Sequence, residues 1–136
     1  MKFFILSFAF VFINFTFFSQ AGPLVGQIVI NKGDMKVKWE QEVYYEFTVK
    51  NAGKAPLNII KIIGSCDCQT LDPRNIQTIA AGKNGIIRVS VKIEKTQLGS
   101  QVINGAIKYD KSVIVVTNGK KEKYQLYTRG NFIITN

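Results

Sequence analysis

The only two cysteines of the chain, Cys66 and Cys68, are the residues best suited to do chemistry, and Asp67 separates them. In a straight strand their Cα atoms would lie about 6.6 Å apart, at the limit for a disulfide, with the Cβ atoms too far apart to bridge. A disulfide here therefore requires a turn or a bulge. It would close a three-residue loop, which is worth only about 1.6 kcal/mol through the unfolded chain. Such a bond is a weak stabiliser and would suit a redox-labile role better.

Three interpretations of the cysteine pair stay open. Cys66 and Cys68 could form a structural disulfide, a redox-active or intermolecular pair, or a metal site. Zinc prefers four donors, so two thiolates leave that site half-built, whereas copper(I) accepts two soft sulfurs. We expect the disulfide and no cofactor, and we keep copper(I) on Cys66 and Cys68 as the alternative.

The sequence contains no histidine, which removes the usual general base and the partner of a catalytic serine or cysteine. The remaining carboxylates have a simpler explanation as solvated charges, since Glu40, Glu42 and Glu46 fall on exposed strand positions and Asp72 and Asp110 in predicted turns. No glycine-rich strand-to-helix turn that would bind a phosphate is present. We therefore expect that the protein is not an enzyme.

The N-terminus has the pattern of a secretory signal peptide. Lys2 precedes a mostly apolar run over residues 3–18, and Ser19 and Ala21 are small residues at the spacing that a signal peptidase requires. We predict cleavage after Ala21, with an uncleaved anchor as the alternative, and a single domain over residues 22–136. The mature protein would then be periplasmic or extracellular, without a transmembrane span.

The stretch that leads to the cysteines has the clearest strand pattern. Residues 43–50 alternate, with Val43, Tyr45, Phe47 and Val49 on one face. Turn-forming residues follow at 51–54, and Pro56 precedes a second apolar run over residues 57–63. The apolar positions of that run change parity between residues 59 and 60, which indicates either a bulge or burial on both faces.

The rest of the chain predicts further short strands with turns between them. We expect a strand at Val29, a turn over residues 31–34, alternation over 36–39, brief pairing over 76–80, a strand over 87–93 and a loop over 96–105. A short strand is expected over 106–109, and a hairpin pairs 113–116 with 124–127 around Asn118-Gly119. A closing strand covers 131–134. These elements predict an all-β, immunoglobulin-like antiparallel sandwich of seven to eight strands, with this core: Trp39, Tyr45, Phe47, Val49, Val89, Val91 and Leu126.

Three motifs in order resemble those of the bacterial family DUF1573: residues 51–57 (NAGKAPL), 65–68 (SCDC) and 79–83 (IAAGK). The resemblance covers about residues 34–132. It implies an immunoglobulin-like sandwich, common in exported Bacteroidetes proteins and distantly similar to scaffold domains of cilia and centrosomes, and it implies no activity. The chain departs from the family pattern at Asp67, where glycine is usual, at Gln69, which is inserted before Thr70, and at Ala81, where proline is usual. The usual D-F-G before the first long strand is also missing.

The formal charge of +9 is diffuse. Lys120, Lys121 and Lys123 flank the predicted hairpin, where lysines commonly prevent an edge strand from pairing with other chains, and no basic stripe that would follow a nucleic-acid backbone is present. We expect a protein or cell-envelope partner, no nucleic acid, and weak, salt-dependent attraction to acidic glycans or lipid phosphates. Our hypothesis is an exported, non-catalytic binding or scaffolding module, with a thiol-dependent redox or copper(I)-handling protein as the alternative.

Overall fold

The computed structural model describes residues 21–135, which form a sandwich of two β-sheets. The predicted all-β sandwich is confirmed, with nine strands among these residues instead of the predicted seven to eight, and three of the nine are only two or three residues long. In chain order they are β1 (Leu24–Gly26), β2 (Val29–Val37), β3 (Glu42–Asn51), β4 (Leu57–Gly64), β5 (Gln69–Leu71), β6 (Thr78–Ile79), β7 (Asn84–Lys92), β8 (Ala106–Thr117) and β9 (Lys123–Ile134). The predicted signal peptide falls almost wholly outside the described residues.

The four-stranded sheet has the order β1-β3-β7-β5 and is antiparallel throughout. Its two long strands are those with the clearest alternation in sequence. In β3, every second residue from Val43 to Asn51 is buried, and β7 alternates in the same way. Period-two alternation therefore placed these side chains on the correct faces.

The five-stranded sheet has the order β2-β9-β8-β4-β6 and differs from the prediction in one pairing. β2 runs parallel to β9, from Val29 opposite Tyr127 to Val37 opposite Ile134, whereas the other pairs in the sheet are antiparallel. A parallel pair needs a long connection, which here is most of the chain. Local sequence carries no signal for such a distant partner.

Bulges explain two irregularities of the apolar pattern. The register of β4 shifts between Ile59 and Lys61, so the parity change reflects a bulge, and Ile60 is exposed. The predicted turn over residues 31–34 is also wrong, because β2 continues through it with a register shift between Asn31 and Asp34. Gly33 accommodates this bulge with φ of 64°.

β8 and β9 form one long hairpin of two twelve-residue strands. The predicted strands over 106–109 and 113–116 are parts of β8, and those over 124–127 and 131–134 are parts of β9. The connecting loop covers residues 118–122 and contains the predicted Asn118-Gly119 turn. The predicted loop over 96–105 overlaps a short helix α1 (Lys95–Leu98) and includes a 3-10 turn over Gly99–Gln101.

The core lies between the sheets and contains every predicted core residue except Trp39. Trp39 lies in the turn after β2 and is only partly buried, because the strand ends at Val37 before the alternation reaches it. Tyr45, Tyr109 and Phe132 stack with ring centroids 6.3 and 5.3 Å apart. The Tyr45 hydroxyl donates to the carbonyl of Arg129 at 2.9 Å and so joins the two sheets. Within residues 21–135, no helix is long and apolar enough to span a membrane.

Candidate functional site at the crossover loop

The two cysteines lie in the crossover loop, residues 65–68, which carries the chain from β4 in one sheet to β5 in the other. Cys66 and Cys68 are joined by a disulfide, with their Cα atoms 5.1 Å apart. This separation is shorter than the spacing of a straight strand because the chain turns between them. The turn does not require the family's usual glycine, since the positive φ angles of non-glycine residues are found at Glu40 and Asn104 and not at Asp67.

The side chain of Gln69 fixes the conformation of the crossover loop. Its Oε1 accepts a hydrogen bond from the Ser65 amide at 2.9 Å. Its Nε2 donates to the Tyr109 hydroxyl at 3.3 Å and, over a longer distance of 3.5 Å, to the Ser112 carbonyl. Gly64 makes room for this amide, because a Cβ there would lie 2.8 Å from Oε1. The residue inserted relative to the family pattern is therefore the one that attaches the loop to β8.

Both sheets hold the backbone of the loop. On the five-stranded sheet, the Ser112 amide donates to the Ser65 hydroxyl at 3.0 Å. On the four-stranded sheet, the Lys92 amide donates to the Cys68 carbonyl at 3.1 Å. The Gln69 amide closes the turn by donating to the Cys66 carbonyl at 3.1 Å. The loop is therefore attached at both ends, which is typical of a loop that presents side chains in one fixed geometry.

The sulfur atoms are shielded to different extents, while the tip of the loop is open. Cys68 is only 3% exposed and belongs to the core, and Cys66 is partly buried against it. Asp67 is exposed, as is Ser65. A shallow cavity of about 490 Å³ borders this side of the loop, between Ser65, Cys66, Asp67 and Leu71. A small thiol can therefore approach the disulfide only from the side of Cys66.

The crossover loop provides no thiolate ligand for a metal ion while its disulfide is intact. With both sulfurs in a disulfide, neither is a free thiolate, which is the form that binds copper(I). Among the described residues, no group of three or more His, Cys, Asp and Glu side chains lies close enough to hold a metal ion. A metal at Cys66 and Cys68 would first require reduction of the bond.

The carboxylates singled out in the sequence are dispersed and engaged with neighbours. Four of them form ion pairs: Glu40 with Lys92, Glu46 with Arg88, Asp72 with Arg74 and Asp110 with Arg129. Glu42 accepts a hydrogen bond from Tyr44 at 2.6 Å. Asp110 lies within β8, so its predicted turn position is wrong.

Asp72 has the strongest partner among these carboxylates. The guanidinium and backbone amide of Arg74 both donate to Asp72, which lowers the pKa of its carboxyl group to about 2. A carboxylate held in the ionised form in this way is a poor proton donor or acceptor near neutral pH. Together with Tyr44, Glu46 and Arg88, this pair borders a shallow cleft of about 390 Å³.

Comparison with known proteins places the chain in a family. The family model described as "Protein of unknown function (DUF1573)" matches residues 27–132, which is most of the chain. The chain belongs to the DUF1573 family. The resemblance seen in the three sequence motifs is thereby confirmed, and the match begins slightly earlier than the motifs indicated. No curated protein matches the chain in sequence.

Several solved structures share the fold of this DUF1573 member. A protein of unknown function from Porphyromonas gingivalis W83 is similar with a TM-score of 0.60 and 12% identity, over 79% of this chain and 45% of the other. The VesB protease of Vibrio cholerae gives 0.54 and 16%, over 81% and 31%. A family 123 glycoside hydrolase from Clostridium perfringens gives 0.56 and 9%, over 77% and 23%. The chain spans less than half of each of these proteins, and at these identities the likeness shows the fold alone.

Sequence reasoning missed the roles of two polar residues. The sequence identifies Gln69 only as an insertion and Asn51 only as a turn former, but both side chains bind backbone groups from distant parts of the chain. Asn51 is fully buried, and its amide joins the segment at Gly22 to β6. The family motif NAGKAPL contained a signal for Asn51, since it begins at that residue.

Proposed function

We propose that the protein is an exported, non-catalytic binding or scaffolding module of the cell envelope that contacts its partner through the crossover loop. The observation that carries this proposal is the attachment of residues 65–68 to both sheets. The loop exposes Asp67 at its tip while Gln69, Ser112 and Lys92 fix its backbone. A loop that is ordered before binding loses less conformational entropy when a partner binds.

A binding role also agrees with the chemistry that the chain carries. The sequence has no histidine, and the five carboxylates considered above are each paired with a cation or a hydroxyl group. Two of the structurally similar proteins are a protease and a glycoside hydrolase, but the chain matches only 31% and 23% of their lengths. That likeness supports a shared sandwich and gives no support for a shared reaction.

Export is the second part of the proposal, and it rests on the sequence of residues 1–21. The intact mass of the protein recovered from its native host tests it directly. We expect a soluble species that begins at Gly22. If the protein were recovered from the membrane fraction with residues 1–21 still attached, this segment would be an uncleaved anchor and not a cleaved signal peptide.

Site-specific photo-crosslinking in the native host tests binding by the loop. One variant carries the photoreactive residue in place of Asp67, and a matched control carries it in place of Lys54, which is exposed in the turn after β3. This control lies near the opposite end of β3 from the residues that adjoin the loop. We expect one discrete adduct of defined mass from position 67 and none from position 54.

A third variant tests whether the rigidity of the loop matters. Gln69→Ala keeps Asp67 and the disulfide but removes the hydrogen bonds to Ser65, Tyr109 and Ser112. We expect the adduct at position 67 to weaken several-fold in this background. Equal adducts from positions 67 and 54, or no adduct from position 67, would refute binding through the loop.

A further inference from the structure

The outer face of the five-stranded sheet carries an apolar stripe near the β8–β9 hairpin. Ile63 of β4 pairs with Ile114 of β8, and Val29 of β2 pairs with Tyr127 of β9. Val116 lies on the same side of β8, two residues from Ile114. Ile63 and Val29 are 38% and 37% exposed, and the other three are partly buried. We call this surface the hairpin-side face.

Cations flank the stripe, and none of the cross-strand partners of its residues is acidic. Lys61 and Lys123 are the two cross-strand partners of Val116, one on each side. Neither forms an ion pair within residues 21–135. The guanidinium of Arg129 lies 5.2 Å from the centre of the Tyr127 ring and forms an ion pair with Asp110, the nearest acid along β8.

On the outer face of the four-stranded sheet, two of the cations are paired with acidic side chains. Arg88 lies 3.6 Å from Glu46, and Lys92 lies 3.3 Å from both Glu40 and Glu94. On the hairpin-side face, by contrast, Lys61 and Lys123 have no acidic partner among the described residues and lie on either side of Val116, close to the exposed side chain of Ile63. Combined apolar and cationic contacts are what binding to an anionic lipid surface requires.

We infer that the hairpin-side face binds the surface of an anionic phospholipid bilayer. Lys61 and Lys123 contact lipid phosphates, while Ile63 and Val29 enter the headgroup region. A second copy of the chain is disfavoured because two such faces would place lysines opposite lysines. A protein partner fits less well, since lysine is depleted at protein interfaces. This inference goes beyond the proposed function, which concerns the crossover loop, and it does not depend on it.

Vesicle sedimentation with the full mature chain tests the inference. The vesicles contain phosphatidylcholine alone or phosphatidylcholine and phosphatidylglycerol in a ratio of about two to one, and salt is varied. We expect binding to the anionic vesicles only, weakening as salt rises, because screening shortens the reach of the lysine charges. Each lysine at such a surface is worth about fivefold in affinity, so Lys61→Gln with Lys123→Gln should lose about 25-fold.

A matched double variant separates the face from net charge. Lys50→Gln with Lys83→Gln removes the same two charges from exposed positions of the other sheet and its loop. We expect this control to lose less than about threefold, and Ile63→Ser to lose binding mainly at high salt, where the apolar contact matters most. Equal losses in the two lysine pairs, no binding to anionic vesicles at low salt, or binding of soluble dextran sulfate without binding of vesicles would each overturn the inference. We expect the lysine variants to leave crosslinking at Asp67 unchanged, so the two proposals can fail separately.

Discussion

Asn51 is the single residue whose replacement tests the packing of the sandwich most sharply. Its side chain is fully buried and makes four hydrogen bonds. The Oδ1 atom accepts from the amides of Gly22 and Gly53 at 2.9 and 3.0 Å, and Nδ2 donates to the carbonyls of Ala55 and Ile79 at 2.7 and 2.9 Å. One amide thus connects the start of the described chain, the turn after β3 and the edge strand β6.

Asn51→Ala removes all four bonds and leaves their backbone partners without a replacement. Each bond contributes about 1 kcal/mol net, so we expect the free energy of unfolding to fall by about 3 to 5 kcal/mol. That is a large part of the about 5 to 15 kcal/mol that usually stabilises a domain. Urea unfolding followed by circular dichroism measures the change, and a constant slope would show that the unfolded state is unaltered.

The matched control is Asn118→Ala in the β8–β9 loop. Asn118 is exposed, and its Oδ1 accepts one hydrogen bond, from the Asn58 amide at 2.9 Å. We expect this variant to lose less than about 1 kcal/mol. If the two variants lost similar amounts, the four bonds of Asn51 would contribute no more than one exposed bond, and its role as a connecting residue would be refuted.

Three further predictions concern the core, its tyrosines and the loop. Phe47→Ala should lower the free energy of unfolding in urea by about 3 to 5 kcal/mol, because the ring is fully buried between the sheets. A much smaller loss would mean that the opposite face of β3 is the buried one. Burial raises the pKa of Tyr45 and Tyr109. Above pH 10 the unfolded state loses tyrosine protons that the folded state keeps, so the free energy of unfolding should fall as pH rises from 10. Absorbance at alkaline pH should show that Tyr45 and Tyr109 ionise only when the protein unfolds. Ionisation of all five tyrosines near pH 10 in the folded protein would contradict this prediction. Gln69→Ala should speed hydrogen exchange at the Ser65 amide while the amides of β7 keep their protection, and unchanged exchange at Ser65 would show that Gln69 does not hold the loop.

The elements that the sequence predicted well are those set by local periodicity. β3 and β7 alternate over nine or ten residues, so their buried faces follow directly from the pattern. The parallel pairing of β2 with β9 joins Val29 to Tyr127 across most of the chain, and no local pattern specifies such a pair. The same limit explains why the sequence predicts a turn where β2 has the bulge at Gly33, since glycine and asparagine favour both.

At the candidate site, too, the sequence predicted the local features but not the long-range contacts. The spacing of Cys66 and Cys68 predicted that a disulfide needs a turn, which is a local argument. The contacts of Gln69 with Tyr109 and Ser112 connect residues some forty positions apart. The sequence alone could not show that Gln69 holds the loop, because Tyr109 and Ser112 come near it only when β8 pairs with β4.

The exchange of the Cys66–Cys68 disulfide with reduced glutathione in the native protein, followed by mass spectrometry, distinguishes a structural disulfide from thiol chemistry most directly. Because Cys68 is buried and the loop is held by both sheets, we predict that the bond stays intact and that no mixed disulfide accumulates. The Cys66→Ser, Cys68→Ser double variant should stay folded and lose no more than about 2 kcal/mol, since a three-residue loop constrains the unfolded chain weakly. Rapid exchange with glutathione in the folded protein, or stoichiometric copper(I) binding that the double variant abolishes, would contradict a binding module and indicate thiol chemistry instead.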